Sequence, residues 1–394
     1  MLSRPLSTAF ALTFAATALA APLPIAEAEI GLARHLDSRQ TLGRLLFHDA
    51  RLSTPAGQSC ASCHAAGSAF SDPNKARPTA AGATPRLRGT RNVPTAMYMA
   101  YSPAFHYDRV EAVYVGGQFY DGRAATLEEQ AKGPFLNPLE MANPGKREVV
   151  DKVRRAEYAP LFRKVFGARA FDTPDRAFER IAEAIAAYER SRAFAPFSSK
   201  YDAWLAGKTK LTAAEKRGLE VFEREDKGNC AACHPSRPAK DGTPPLFTDF
   251  TYDNLGVPKN PANPYYRLAR KHNPDGAAFV DRGLGGVLGK TGEMGKFKVP
   301  TLRNVALTGP WMHNGYFTEL RAAVDFYNSR DVKPACRGEF VSDRAAWRQR
   351  CWPVPEVAAN VNRDELGKLE LDERDIDDLV AFLHTLSDGW RPAR

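Results

Sequence analysis

The sequence predicts a mainly α-helical protein built from two similar halves, and three observations support this. The five-residue pattern Cys-x-x-Cys-His occurs twice, at 60–64 and at 230–234. In each half, apolar residues at helical spacing predict one helix before the pattern and another that closes the half. Between these helices the chain is rich in proline and glycine, as in the run 235–264, which predicts long loops.

The helix before the first pattern is predicted over 41–47 and its counterpart over 211–222. In the counterpart, Thr212 and Glu215 have the spacing of a capping box, which marks a helix start. The closing helices are predicted from apolar residues at helical spacing. These residues are Phe178, Ile181, Ile185 and Tyr188 in the first half, and Ile376, Leu379, Val380, Leu383 and Leu386 in the second.

Two thiols and an imidazole in the order Cys-x-x-Cys-His attach a c-type haem, because each cysteine bonds a vinyl group and the histidine reaches the iron. A zinc site would need further paired ligands, and none follow either pattern. We therefore predict two cytochrome c-like domains, 21–197 and 198–394, each with one covalently bound haem. The attachment residues are Cys60, Cys63 and His64 for the first haem, and Cys230, Cys233 and His234 for the second.

The N-terminus has the pattern of a secretory signal peptide. Arg4 precedes an apolar run over 6–19, which ends in small residues, so residues 1–20 are predicted to be cleaved. The run is short of the ~20 residues that a spanning helix needs, so no membrane partner is expected. We expect an exported protein of the periplasm. In an oxidising compartment Cys336 and Cys351 are expected to form a disulfide, with free thiols as the alternative.

The formal charge of +9 at pH 7 favours acidic partners. Nucleic acid is a poor fit for an exported chain that carries no recognisable binding motif. An acidic electron-donor protein or a protein substrate is compatible with this charge, although solubility alone also explains it.

Several further stretches resemble the bacterial di-haem cytochrome c peroxidase family, which includes the MauG-like enzymes. They follow the order of the family over nearly the whole mature chain, at 91–94, 119–134, 137–141, 299–305 and 324–328. The resemblance implies a first haem that reacts with hydrogen peroxide and a second that relays or stores oxidising equivalents. It also implies a calcium ion between the two haems.

The resemblance also assigns roles to individual residues of this chain. It implies His64 and His234 as proximal iron ligands. Calcium would be bound through oxygen atoms, as a hard cation prefers. The implied calcium residues are Asn92, Thr308 and Pro310, and the pocket over the first haem would be lined by Gln130, Pro134 and Glu140.

Nothing obvious in the sequence closes the far side of the first iron. No histidine occurs between His64 and His106, and residues 68–91 contain no methionine. We therefore expect a haem that is five-coordinate or binds only water, with His106 as the alternative ligand. An open ferric site needs a group that moves a proton between the two peroxide oxygens. By the resemblance this group is Glu140, with Gln130 orienting peroxide; the alternative is that Glu140 is an exposed loop carboxylate.

On the second haem, Tyr327 falls where peroxidases that need prior reduction have a methionine. A thioether stabilises ferrous iron, whereas a hard, anionic phenolate stabilises ferric and higher states. Tyr327 therefore points to the MauG-like branch of the family. The alternative is a packed tyrosine with Met294 or Met312 as the ligand. His313 is expected near a haem but not as a ligand.

One position departs from the family pattern. The family usually has tryptophan directly before Asp-Gly-Arg, as the relay for charge between the haems, and this chain has Tyr120. A tyrosine normally loses its phenolic proton when it carries a hole, so transfer through Tyr120 would need a proton acceptor.

Three functions are compatible with these features. The first is a peroxidase that reduces hydrogen peroxide with electrons from a small cytochrome c or cupredoxin. The second is a MauG-like oxidase that uses peroxide equivalents to modify a residue on a partner protein. The third is a non-enzymatic di-haem electron carrier, which an open first haem argues against, because simple carriers usually have both axial positions filled.

Overall fold

The computed structural model describes residues 35–338 and 340–392. These residues contain twelve α-helices and two short two-stranded sheets, joined by loops. The mainly α-helical class is therefore confirmed. The predicted signal peptide, 1–20, lies outside the described residues. None of the described helices is both long enough and apolar enough to cross a membrane. We refer to 35–197 as the first half and to 198–392 as the second half, following the predicted division.

The helices of the first half are α1 (Ser38–His48), α2 (Cys60–Cys63), α3 (Leu127–Leu136), α4 (Lys146–Arg155), α5 (Ala159–Phe166) and α6 (Pro174–Glu189). Those of the second half are α7 (Lys200–Leu205), α8 (Ala213–Glu223), α9 (Gly283–Leu288), α10 (Leu320–Ser329), α11 (Asp343–Gln349) and α12 (Glu373–His384). The antiparallel strand pairs are β1 (His106–Asp108) with β2 (Val113–Val115), and β3 (Tyr252–Asp253) with β4 (Phe297–Lys298).

The first half is organised by a close crossing of α1 and α6. A Cβ atom added at Gly43 would lie 1.9 Å from the carbonyl oxygen of Ala184, so the crossing leaves no room for a side chain on α1. The apolar residues predicted on the closing helix all enter the core at this crossing, which confirms the helical spacing. They are Phe178, Ile181, Ile185 and Tyr188, which pack with Leu42, Leu46 and Phe47 of α1.

The second half repeats this arrangement with α8 and α12. A Cβ atom at Gly218 would lie 1.9 Å from the carbonyl oxygen of Asp378. The predicted capping box is present, since the Thr212 nitrogen donates to Glu215 and the Glu215 nitrogen donates to Thr212. Of the residues predicted on α12 and just after it, Ile376, Leu379, Leu383 and Leu386 are buried and Val380 is half-buried.

The predicted disulfide between Cys336 and Cys351 is confirmed. The segment between them contains the short helix α11, whose first turn is capped by Ser342. Trp352, next to the disulfide, packs against Phe326 of α10, with ring centroids 5.3 Å apart. The disulfide therefore fixes this segment against the helix that carries Tyr327.

A buried arginine lies where the two halves meet. The side chain of Arg303 is 1% exposed and makes two hydrogen bonds of 2.8 and 2.9 Å to Asp202. Its guanidinium also lies 4.9 Å from the ring centroid of Tyr98, a residue of the first half. Asp202 is the partner that the buried charge of Arg303 needs. The contact between Arg303 and Tyr98 packs the second half against the first.

Candidate functional site

One cavity is lined by both Cys-x-x-Cys-His patterns. The same cavity reaches every other residue that the sequence predicted at the site: Asn92, Tyr120, Gln130, Pro134, Glu140, Thr308, Pro310, His313 and Tyr327. Of the alternative ligands, Met312 lines the cavity and Met294 does not. His106 is exposed on β1, where its Nδ1 bonds the carbonyl of Ala104, and it does not line the cavity either.

The first pattern places its histidine by a local turn. His64 follows α2, and its Nδ1 lies 2.9 Å from the carbonyl oxygen of Phe70. Ala69 and Phe70 both have left-handed backbone, with φ of 56° and 49°, which turns this carbonyl back towards the imidazole. Because a carbonyl only accepts, Nδ1 carries the proton and Nε2 keeps the lone pair that iron needs. Burial lowers the pKa of His64, which keeps the ring neutral.

The second pattern uses the same arrangement. His234 Nδ1 lies 2.8 Å from the carbonyl oxygen of Phe247, another left-handed residue, with φ of 53°. Burial lowers the pKa of His234 to about 4, although the Phe247 carbonyl opposes this change. The thiols of both patterns are unpaired, and burial raises the pKa of each. Neutral imidazoles with Nε2 available, next to free thiols in a cavity, fit two covalently attached haems.

The side of the cavity predicted to lie over the first haem carries a carboxyl group. Glu140 lies just beyond α3, and its Oε1 accepts a 2.9 Å hydrogen bond from the Asn137 amide. Burial raises the pKa of Glu140, and the charge of Arg123 opposes this rise. Gln130 and Pro134 reach the cavity from α3. A half-buried carboxyl with a raised pKa can both accept and return a proton.

Tyr327 lies on α10 and lines the cavity near the second pattern. Burial raises the pKa of Tyr327, and the nearby sulfurs of Cys230 and Cys233 add to the rise. A phenolate here therefore needs a cation beside it, which a ferric iron would provide. Met312 also lines the cavity and has a left-handed φ of 71°.

Tyr120 lines the cavity next to a buried ion cluster. Arg91 makes two hydrogen bonds of 2.6 and 2.7 Å to Asp281 and an ion pair of 2.7 Å with Asp121. Burial alone would raise the pKa of Asp281, but Arg91 outweighs it and lowers that pKa to about 2. For Tyr120 burial dominates and raises the pKa, with Arg91 opposing. The cluster includes Asp121, the residue that follows Tyr120, and so fixes the backbone on that side of Tyr120.

Two basic side chains complete this part of the cavity. The Lys298 side-chain amine donates a hydrogen bond to the carbonyl of Gly117, and the Lys298 backbone nitrogen donates a 2.7 Å hydrogen bond to the carbonyl of Tyr120. Burial lowers the pKa of the Lys298 amine to about 7. His313 stacks on Phe297, with ring centroids 3.6 Å apart. Burial lowers the pKa of His313 to about 4, and its Nε2 has no hydrogen-bond partner among the described residues. The Lys298 amine can therefore exchange a proton near neutral pH, whereas the His313 ring stays neutral there.

The residues implied for calcium offer only uncharged oxygens. Asn92, Thr308 and Pro310 line the cavity. The backbone nitrogen of Asn92 donates a 2.8 Å hydrogen bond to the carbonyl of His313. No group of three His, Cys, Asp or Glu residues that could hold a metal occurs in the described part of the chain. Amide, hydroxyl and carbonyl oxygens are hard ligands of the kind that calcium accepts, so the donor types fit.

Sequence reasoning missed Glu189, Lys298 and Arg123, all of which line the cavity. Glu189 is buried at the end of α6, and its Oε2 has no hydrogen-bond partner among the described residues. It follows Ile181 and Ile185 at intervals of four, so a carboxylate on an apolar stripe was the available signal. Met99 and Met141 also line the cavity, and the sequence predicted no role for either side chain.

These features are typical of a di-haem redox protein with c-type attachment. A family model described as di-haem cytochrome c peroxidase matches residues 37–210. The chain is 42% identical over 365 residues to the methylamine utilization protein MauG of Paracoccus denitrificans, covering 89% of each chain. The chain belongs to the di-haem cytochrome c peroxidase family, whose members are oxidoreductases that act on peroxide and include MauG-like oxidases.

Two further comparisons agree with this family assignment. The chain is 31% identical over 393 residues to cytochrome c551 peroxidase of Pseudomonas aeruginosa, covering 98% of this chain and 89% of the relative. The crystal structure of the diheme peroxidase BthA from Burkholderia thailandensis matches with a TM-score of 0.74 and 37% identity. That match covers 90% of this chain and 86% of the other, so the likeness includes both halves.

Proposed function

We propose that this chain is a periplasmic peroxidase that reduces hydrogen peroxide at the haem held by Cys60, Cys63 and His64. Electrons come from a small redox protein, a cytochrome c or a cupredoxin. The observation that carries the proposal is the half-buried carboxyl of Glu140, whose pKa is raised by burial and which lines the same cavity as the first pattern. Among the described histidines, those at the cavity are His64, His234 and His313, and only the first two belong to attachment patterns.

The haem, once attached, supplies the redox chemistry that breaks the O–O bond. Glu140 accepts the proton of the peroxide oxygen nearer the iron and returns it to the farther oxygen, which leaves as water. The Gln130 amide hydrogen-bonds peroxide and fixes its orientation, while Pro134 excludes solvent from that wall. Two electrons and two protons balance the reduction of one peroxide to two waters, and the donor protein is oxidised.

The second half would carry the other haem, and His234 and Tyr327 would hold its iron. An anionic oxygen ligand favours the ferric and higher states, so this haem would store an oxidising equivalent. Tyr120 would carry charge between the two haems. A calcium ion would lie between them on oxygens of Asn92, Thr308 and Pro310.

The remaining parts of the proposal concern organisation and location. Residues 21–197 and 198–394 would be the two cytochrome c-like domains, and residues 1–20 a signal peptide that directs the chain to the periplasm. The confirmed disulfide between Cys336 and Cys351 supports an oxidising compartment.

A second candidate function is a MauG-like oxidase that modifies a residue on a partner protein. Tyr327 favours it, because a tyrosine ligand suits storage of oxidising equivalents rather than rapid re-reduction. The 42% identity to the methylamine utilization protein MauG of Paracoccus denitrificans also supports it. The charge of +9 fits an acidic partner under either function.

Electron paramagnetic resonance of the oxidised protein tests the proposal. We expect one high-spin and one low-spin ferric haem, both silenced by stoichiometric peroxide without prior reduction. Two low-spin haems that ignore peroxide would overturn the proposal and leave an electron carrier. A charge-transfer band of methionine ligation would count against Tyr327. Steady peroxide consumption with a reduced cytochrome c or cupredoxin then separates the peroxidase from the oxidase.

A further inference from the structure

A second cavity lies on the outer side of Glu140, and we call it the outer chamber. Its lining includes Phe119, Arg123, Glu129, Gly133, Pro134 and Glu140. Arg123, Glu129 and Gly133 are exposed, and Phe119, Pro134 and Glu140 are half-buried. These three half-buried residues and Arg123 also line the haem cavity. The outer chamber therefore faces solvent on one side and shares a wall with the haem cavity on the other.

Arg123 is held in that wall by a buried partner. Its Nη1 donates hydrogen bonds of 2.8 and 3.0 Å to the two oxygens of Asp121, whose side chain is 6% exposed. Asp121 is in turn paired with Arg91. The guanidinium lies 3.6 Å from the ring centroid of Phe119. Arg123 thus acts as a flat cover on the Phe119 ring, in a fixed position although its side chain is 42% exposed.

Helix α3 faces the Phe119 ring at Gly133, which has no side chain to contact it. A Cβ atom added at Gly133 would lie 3.4 Å from Cζ and 4.0 Å from Cε2 of the ring. Phe119 itself has a left-handed φ of 63°, a conformation that side-chain-bearing residues rarely adopt. The ring is therefore held by its backbone and by Arg123, and not by a close contact from Gly133.

We propose that the outer chamber is the access route of peroxide to Glu140. Arg123 is a positioning residue that holds the Phe119 ring in place, so that the route is closed to larger molecules. This rests on the proposed function, since it deepens how the same pocket selects its substrate. Hydrogen peroxide is small and uncharged, so it passes a wall of half-buried side chains that stops bulkier hydroperoxides. The charge of Arg123 also lowers the pKa of Glu140, against the larger effect of burial. The positive charge of Arg123 is therefore close to the Glu140 carboxyl.

The test uses the purified di-haem protein and two ligands of different size. Association rates of cyanide and imidazole with the oxidised first haem are measured by rapid-mixing optical spectroscopy. In Arg123→Ala we expect imidazole to bind about tenfold faster or more, while cyanide changes by less than about threefold, because a gating side chain affects the larger ligand more. In Gly133→Ala the added methyl group contacts Phe119, so imidazole is expected to bind more slowly.

Arg217→Ala is the matched control. Its side chain is 40% exposed and is held by Asp378, which is 9% exposed, and Arg217 lines neither cavity. Its ratio of imidazole to cyanide rates should equal that of the unmodified protein.

We call the closure by Arg123 and Phe119 the gate. If Arg123→Ala leaves the ratio of imidazole to cyanide rates unchanged while its first haem binds cyanide, the gate is overturned and the proposed function stands. If the unmodified first haem binds no cyanide, the proposed function fails and the gate fails with it. Should Arg123→Ala lose haem, Gly133→Ala decides: slower imidazole binding supports the gate, and an unchanged imidazole rate overturns it. A far-ultraviolet circular dichroism spectrum equal to that of the unmodified protein shows that each variant has folded.

Discussion

The phenolic oxygen of Tyr98 donates a 2.7 Å hydrogen bond to Oδ2 of Asp388, 290 positions further along the chain. Both residues are buried, at 0% and 1% exposure. Asp388 also accepts a 2.8 Å hydrogen bond from the Asn304 amide and bonds of 2.9 and 3.1 Å from Ser198. One buried carboxylate therefore ties the first half, the join between the halves and the end of the chain together.

Replacing Tyr98 by Phe removes one donor from this carboxylate and keeps the ring. We expect the free energy of unfolding to fall by about 1–3 kcal/mol, because a buried acceptor loses its partner. Urea unfolding followed by circular dichroism measures the change. Tyr101→Phe is the control, since Tyr101 is 39% exposed, and it should change stability by less than about 0.5 kcal/mol. Equal stability of the two variants would contradict the expected role of the bond.

Glu140→Gln tests the proton-transfer group. We expect the second-order rate with peroxide to fall by at least ~10²-fold, because the amide cannot accept the peroxide proton. Glu157→Gln, at a side chain that is 92% exposed, should leave the rate unchanged. A normal rate in Glu140→Gln would remove Glu140 from the reaction.

The rate should also depend on pH through Glu140. The carboxylate form accepts the proton, and burial raises its pKa. The rate should therefore fall as the pH drops through a midpoint above the usual range of a glutamate, and it should be recovered at higher pH. The rate of peroxide reaction measured across pH 4–9 locates that midpoint. A profile that is flat down to pH 4 would show that the carboxyl is not the proton acceptor.

Tyr120→Phe tests the path between the haems. The phenol is lost and the ring kept, so haem content should be unchanged while charge transfer between the haems slows. Rapid-mixing spectroscopy after addition of peroxide follows oxidation of the second haem and its re-reduction. Tyr107→Phe, on the exposed hairpin, serves as the control. Normal kinetics in Tyr120→Phe would exclude the phenol as a relay.

Glu189 should make stability depend on pH. Burial raises its pKa to about 8, against about 4.3 in an unfolded chain, so the folded protein holds the proton more tightly. The resulting stabilisation is complete below about pH 4 and is lost as the pH rises towards about 8. Glu189→Gln should therefore gain about 1–3 kcal/mol over the unmodified protein between pH 5 and pH 8, as measured by urea unfolding. Parallel profiles for Glu189→Gln, the control Glu183→Gln and the unmodified protein would contradict this.

The sequence predicted the parts of the protein that depend on local spacing. Both attachment patterns, the capping box at Thr212 and the apolar faces of α6 and α12 follow from residues close together in the chain. Helix α11 was missed because its stretch lacks an apolar stripe; a serine cap and the flanking disulfide support it instead. The segment therefore gave no helical signal of its own.

The outer chamber could not be predicted for a different reason. Phe119 and Arg123 come from the loop before α3, and Gly133 from within the helix, so their approach depends on how that loop folds back. The Asp-Gly-Arg run was visible in the sequence, but the stacking of Arg123 on Phe119 was not. Glu189 left a weak signal, as a carboxylate on an apolar stripe.

The glycine-to-carbonyl approaches at Gly43 and Gly218 have a practical consequence for mutational libraries. Neither residue lines the cavity, yet both positions should accept glycine alone, since even a methyl group would overlap a backbone oxygen at 1.9 Å. The two crossings use separate helices, so a substitution at one leaves the other intact. Alanine at a single crossing is therefore expected to destabilise the half that contains it first.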